Sequence, residues 1–210
     1  MGFLDTLLGR TKPVRANLDA LFALPSAAVT LQTAAGLVSS GHAGVCWKPP
    51  AGQPAEDLEK EIGQLLDLPD DEDAARAAGS AAGTSSPGVG TFTQAEDSYG
   101  YRWLLLEDPD IGDLVTRVHV ANSTLTDAGW GPQLLCSVFG FQPAAGAAPD
   151  AKPFYLVYLY KRGTFYPFAP LSGEHRDNEL ELRIKAVAGT DLPFEPDLSR
   201  WFPLWDSPVH

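Results

Sequence analysis

The sequence predicts an α+β fold, an antiparallel sheet of about five to six strands packed by helices. Three observations lead there. Two apolar stretches, 134–142 (LLCSVFGFQ) and 154–161 (FYLVYLYK), read as strands joined by a loop of small residues. The segment 91–108 reads as a hairpin turning near Asp97 to Gly100. The segments 110–129 and 178–189 carry the stripes and end signals of helices.

In chain order, MGFLDTLLGR places Phe3, Leu4, Leu7 and Leu8 on one face of a short helix, with Arg10 and Lys12 following. Asn17 is a candidate cap for a second short helix bearing Leu18, Leu21 and Phe22, which Pro25 is expected to interrupt. Residues 28–37 (AVTLQTAAGL) fit either a strand, by alternation, or a helix, by alanine content. GVCWK, 44–48, reads as a strand stopped by Pro49 and Pro50. Residues 56–66 form a helix with Leu58, Ile62 and Leu65 at helical spacing and acids in its first turn. The stretch 69–90 lacks apolar bulk and reads as a disordered linker.

In 110–129, Asp110 caps a stripe of Ile111, Leu114, Val115, Val118 and Leu125, and Gly129 supplies the stop. Asn122 lies beside that stripe and needs a structural hydrogen-bond partner, expected from nearby backbone. The strand 154–161 is apolar at nearly every position, which places it centrally with both faces covered. In 178–189, alternation favours a strand. The Glu179–Arg183 and Glu181–Lys185 pairs, an Asn178–Glu181 capping box and Gly189 favour a helix, and helix prevails. The tail 192–205 is proline-punctuated and is expected to wrap across the sheet, burying Trp201, Phe202 and Trp205. The organisation is therefore an N-terminal amphipathic segment, 1–16, one α+β domain, 17–190, interrupted by the linker, and an aromatic tail, 191–210.

The net charge of −12 argues against nucleic acid, whose phosphates would be repelled. Nine acidic residues crowd 56–73 against the single Lys60. Cys46 and Cys136 each sit in an apolar stretch and read as buried free thiols. No metal-ligand spacing joins them to His42, His119, His175 or His210, so no metal and no cofactor is expected. No long apolar run and no leader pattern is evident, which makes a cytoplasmic location the expectation.

YKRGTFYPF is the stretch that invites a function. Arg162 and Gly163 suit a tight turn, and Tyr158, Tyr160, Phe165, Tyr166 and Phe168 suit cross-strand pairing. Lys161 and Arg162 beside these rings, with His175 and Arg176 in the polar loop beyond, also suit recognition of an acidic partner. Both readings stand at this stage. Glu174, His175 and Asp177 hold acid and base types, but neighbours in one loop diverge rather than converge on a substrate. No catalytic residue is assigned, and the chain is expected not to be an enzyme.

The opening MGFLDTLLGRTKPV, then NLDALFALPSAAVTLQ, DSYGYRWLL, GPQLLCSVFGF, YLYKRGTFYPFAPL, RDNELEL and LPFEPDLSRWFPLW, together resemble the PspA-associated protein PspAB family of actinobacteria. The resemblance departs from the family pattern at 53–90. It implies an accessory role in the phage-shock envelope-stress response. The implied partners are PspA, a membrane-remodelling coiled-coil protein, and an HtpX-type membrane metalloprotease. It supplies no catalytic residues. The order of elements is also similar to YbjN and secretion-chaperone-like folds, an analogy that carries no function. The combined expectation is an adaptor whose partner-binding residues are Tyr160, Lys161, Arg162, Phe165, Tyr166, His175 and Arg176. The alternatives are a peripheral protein at the inner membrane face, contacting lipid through Phe3, Leu4, Leu7, Leu8, Arg10 and Lys12, and a small-ligand-binding domain.

Overall fold

The computed structural model describes residues 18–48, 92–147, 151–205 and 207–209. The amphipathic start at 1–16, Asn17, the helix expected at 56–66 and the linker at 69–90 lie outside them.

A 3₁₀ turn, Leu18–Ala23, runs directly into helix α1, Leu24–Ala35. Pro25 was expected to break this region and instead stands in the first turn of α1. There its missing N–H is not needed and its fixed φ already suits a helix. The ambiguous residues from Ala28 onward are therefore helical, up to the left-handed cap at Gly36 (φ 65°). By length and composition alone, Leu18–Ala35 could cross a membrane, a run that the sequence reading passed over. In this fold Leu21, Leu24, Ala27, Ala28 and Leu31 face the core.

Strand β1, Leu37–Trp47, is far longer than the expected 44–48. Its first half reads SSGHAG, loop-like because the strand breaks register between Ser39 and Ala43, where Gly41 takes φ 80°. Strands β2, Phe92–Glu96, and β3, Arg102–Glu107, form the expected hairpin. Asp97 holds its turn, accepting from the N–H groups of Tyr99 (3.0 Å) and Tyr101 (2.9 Å).

Helix α2, Ile111–Leu125, starts where Asp110 accepts from the backbone of Gly112 and Asp113. It gives way at Thr126–Trp130 to a π turn carrying Gly129 at φ 87°. Asn122 is buried and donates to the Ser137 hydroxyl at 3.0 Å, a side chain rather than the expected backbone partner. Strands β4, Leu134–Pro143, β5, Phe154–Leu159, and β6, Thr164–Phe168, follow as two hairpins. A small second sheet pairs β7, Pro170–Leu171, with β8, His175–Arg176. Helix α3, Asn178–Ala188, confirms the helical reading. Its cap is Asp177, not Asn178, and Glu181 turns inward, so the expected capping box does not form.

The main sheet is antiparallel throughout, in the order β2-β3-β1-β4-β5-β6. Strand β5 is interior with both faces covered, although β1 and β4 hold the centre. On one face the three helices close a core containing Val45, Trp47, Phe139, Phe141, Leu156 and Tyr158. The opposite face presents Cys46, Trp103, Val138, Val157, Tyr166 and Phe168, and the C-terminal tail covers it. The tail first pairs with the outer edge of β6. Phe165 donates its N–H to Pro193 O (2.8 Å) and accepts from Glu195 N (2.7 Å). Pro167, which has no N–H to give, suits this edge strand.

The tail then crosses the sheet. The Trp201 ring stacks near Tyr166, Trp205 meets Phe168 edge-on, and the Tyr155 hydroxyl donates to Val209 O at 2.9 Å. Val209 lies over Gly44 so closely that a β-carbon there would come within 2.6 Å of its Cγ2. Trp201 is buried and Trp205 half-buried, as expected. Phe202, by contrast, is 58% exposed, because it contributes its carbonyl to the Tyr166 hydroxyl (2.9 Å) and turns its ring outward.

Candidate functional site

The β5–β6 turn is the tight turn the sequence promised, with Gly163 at φ 68°. Tyr158 faces Phe165 across the strands with ring centroids 5.0 Å apart. These rings are core, not anchors. Tyr160, Phe165 and Tyr166 are all buried, and the Tyr160 and Thr126 hydroxyls share a hydrogen bond at 2.6 Å. As partner-contacting side chains they are corrected here. β6 is covered on both faces and bridged by the tail along its edge, which leaves its rings no outward direction.

The two arginines are also engaged internally. The Arg162 guanidinium grips the fully buried carboxylate of Glu195 through Nε and Nη2, the second contact at 3.2 Å. Glu195 also accepts from the Thr164 hydroxyl (3.0 Å) and from Asp197 N (3.2 Å). Burial pushes this carboxyl up, but the bonds from Arg162, Asp197 and Thr164 outweigh it and hold the group below its ordinary value. Arg176 reaches both Glu181 oxygens at 3.0 Å and donates to Trp201 O at 2.6 Å. Its guanidinium also lies 5.3 Å from the centre of the Phe168 ring. Glu181, which accepts from Ala169 N (2.9 Å), is pushed up by its burial. Arg176 thus clamps α3, the end of β6 and the tail together.

Lys161 and His175 are exposed. They do not converge. Lys161 sits before β6 and His175 beyond it, separated by the five residues Thr164–Phe168, about 16 Å of strand. The stretch 160–177 is therefore two exposed loops at opposite ends of a buried strand. Among the acid–base types, Glu174 occupies an exposed turn at φ 56°. Asp177 is engaged by other partners, accepting from Lys152 Nζ (2.9 Å) and from the Leu180 N–H (3.1 Å). The Lys152 hydrogen bond holds its carboxyl below the usual range. Phe3, Leu4, Leu7, Leu8, Arg10 and Lys12 lie outside the described residues.

What sequence reasoning missed is on the tail face. Cys46 of β1 and Cys136 of β4, ninety positions apart in the chain, are direct register partners and both point to this face. They are free and buried, as expected, but side by side rather than apart. The Cys46 thiol is pushed far up, first by its hydrogen bond with Cys136 and then by burial. Both line a cavity of about 550 Å³, open on one side, between the sheet residues Trp103 and Tyr166 and the tail residues Phe202 and Trp205. The signal available was strand parity. Both cysteines occupy alternate positions of strands that turn out to be neighbours, yet nothing local specifies that pairing.

Comparison with family models matches the chain over residues 1–209 to PspAB, PspA associated protein B. Comparison with curated proteins found no match. Comparison with solved structures found none either, so the likeness to YbjN and secretion-chaperone folds has no support here.

Proposed function

The chain belongs to the PspA associated protein B family, and from that premise we propose that it is a non-enzymatic accessory protein acting by binding PspA in the phage-shock envelope-stress response. The observation that carries this reading is the family match, which spans residues 1–209. A cytoplasmic location, at the inner face of the membrane where such a partner would work, goes with this reading.

The surface for binding is narrower than the sequence suggested. With Tyr160, Phe165 and Tyr166 in the core, the exposed cation of the β5–β6 turn is Lys161, flanked by the outer side of Arg162. An exposed lysine at a turn tip suits an acidic stripe on a helical partner, where rim charges govern the encounter rate more than the final affinity. The experiment is binding of purified full-length protein to purified PspA, followed by calorimetry or surface capture. Wild type should bind, and Lys161→Glu should weaken binding and slow association while leaving the thermal midpoint unchanged. Absence of binding by the wild type sinks the reading. Binding instead to an HtpX-type metalloprotease would move the adaptor role to that partner.

A second reading rests on the first twelve residues, where Phe3, Leu4, Leu7 and Leu8 precede Arg10 and Lys12. An apolar face with basic flanks suits an anionic lipid surface. Flotation with anionic vesicles that is lost on deleting residues 2–15 supports it.

A further inference from the structure

We propose that Cys46 and Cys136 form a two-sulfur site for a soft monovalent cation of the copper(I) class, reached through the cavity under the C-terminal tail. The two residues are register partners on adjacent central strands, and their side chains share the face that the tail covers. Directly opposed residues on one face of an antiparallel pair have β-carbons about 4.5–5.5 Å apart, so both sulfurs lie within reach of one ion. Both also line the cavity, which gives an ion a path inward.

The donor set selects the metal. The chain contains two cysteines and four histidines, and His42, His119 and His175 are not among the cavity-lining residues. Among the described residues no group of three or more His, Cys, Asp or Glu could hold a metal together. Zinc in a structural site wants four ligands of this kind and is poorly served. Thiolate softness favours copper(I), a filled-shell ion that is content with two sulfurs. Asp97 lines the same cavity and biases it towards a cation. Its own oxygens are taken by the Trp103 indole N–H at 3.0 Å and by the Tyr99 and Tyr101 backbone, which leaves the sulfurs as ligands.

The reaction balances without an oxidant. One copper(I) and two thiols give a bis-thiolate complex of charge −1 and release two protons to solvent. Lys48, whose Nζ lies 4.5 Å from the centre of the Tyr101 ring in the cavity wall, offsets that charge. A peroxide-sensing dithiol fits less well. Such thiols are exposed, whereas these are buried.

The test uses the full chain, reduced and kept without oxygen, titrated with copper(I) against a chromophoric copper(I) chelator. The expected result is one copper retained per monomeric chain by native mass spectrometry. X-ray absorption should show two sulfur neighbours and no nitrogen or oxygen. Cys46→Ser and Cys136→Ser should each lose that copper to the chelator. The absorption measurement on the wild type needs no variant to fold. Complete surrender of copper by the wild type overturns the proposal, as do retention by both variants, copper shared between chains, or zinc held as firmly as copper(I).

Discussion

Arg162 and Lys161 are adjacent, and the structure separates their roles completely. Lys161 points into solvent, whereas Arg162 neutralises a carboxylate with no exposure of its own. Arg162→Glu would set a second acid against Glu195 and should cost about 2–4 kcal/mol in urea unfolding, a range allowing for the 41% exposure of the Arg162 side chain. An unchanged urea midpoint would show that the pair contributes nothing. A binding test on Lys161→Glu is therefore interpretable, and one on the double replacement is not. Asp177 supplies a pH prediction. Its folded-state pKa is depressed by Lys152, so its contribution is complete above the unfolded value near 3.8 and is lost as pH falls through the folded one. Thermal midpoints measured downward from pH 5 should fall less steeply in Asp177→Asn than in wild type, and parallel curves would refute that assignment. Residue roles of this kind were poorly legible. A basic pair in a turn reads as a surface feature, because its acidic partner lies 33 positions away on a segment with no regular structure.

Among the elements, those fixed by local chemistry could be read directly. Asp110 with the stripe to Leu125 gave helix α2, and the turn near Asp97 to Gly100 gave the β2–β3 hairpin. Elements that depend on tertiary pairing were misjudged. The polar half of β1 is a strand only because β4 holds it across an irregularity at Gly41, and Pro25 begins a helix because a 3₁₀ turn already leads into it. The tail is the clearest case, an aromatic segment with little regular structure that serves as one layer of the fold. Its seat on β1 is Gly44. Gly44→Val should push Val209 off the sheet and cost about 1–3 kcal/mol by overpacking, read as a lower urea midpoint and a changed near-ultraviolet spectrum. If Gly44→Val unfolds at the wild-type midpoint, Val209 is not packed as described.

At the scale of the whole molecule, the described residues give the sheet two unlike coverings, three helices on one side and a strap of extended chain on the other. Removing the chain from Trp201 onward should uncover Val157, Tyr166, Phe168 and both thiols while the helical core stays intact. The shortened protein should bind a hydrophobic dye and react quickly with thiol reagents, yet keep most of its helical circular dichroism. Loss of the helical signal as well would make the two layers one cooperative unit. The strap also imposes an order on synthesis. Among the described residues, all six strands of the main sheet and the three helices are encoded before residue 201, so a nascent chain emerging from the ribosome can assemble its helical side first. The thiol-bearing side stays wet until Val209 has been translated. During that interval Cys46 and Cys136 stand open to metal chaperones and oxidants that the finished protein admits only through its cavity.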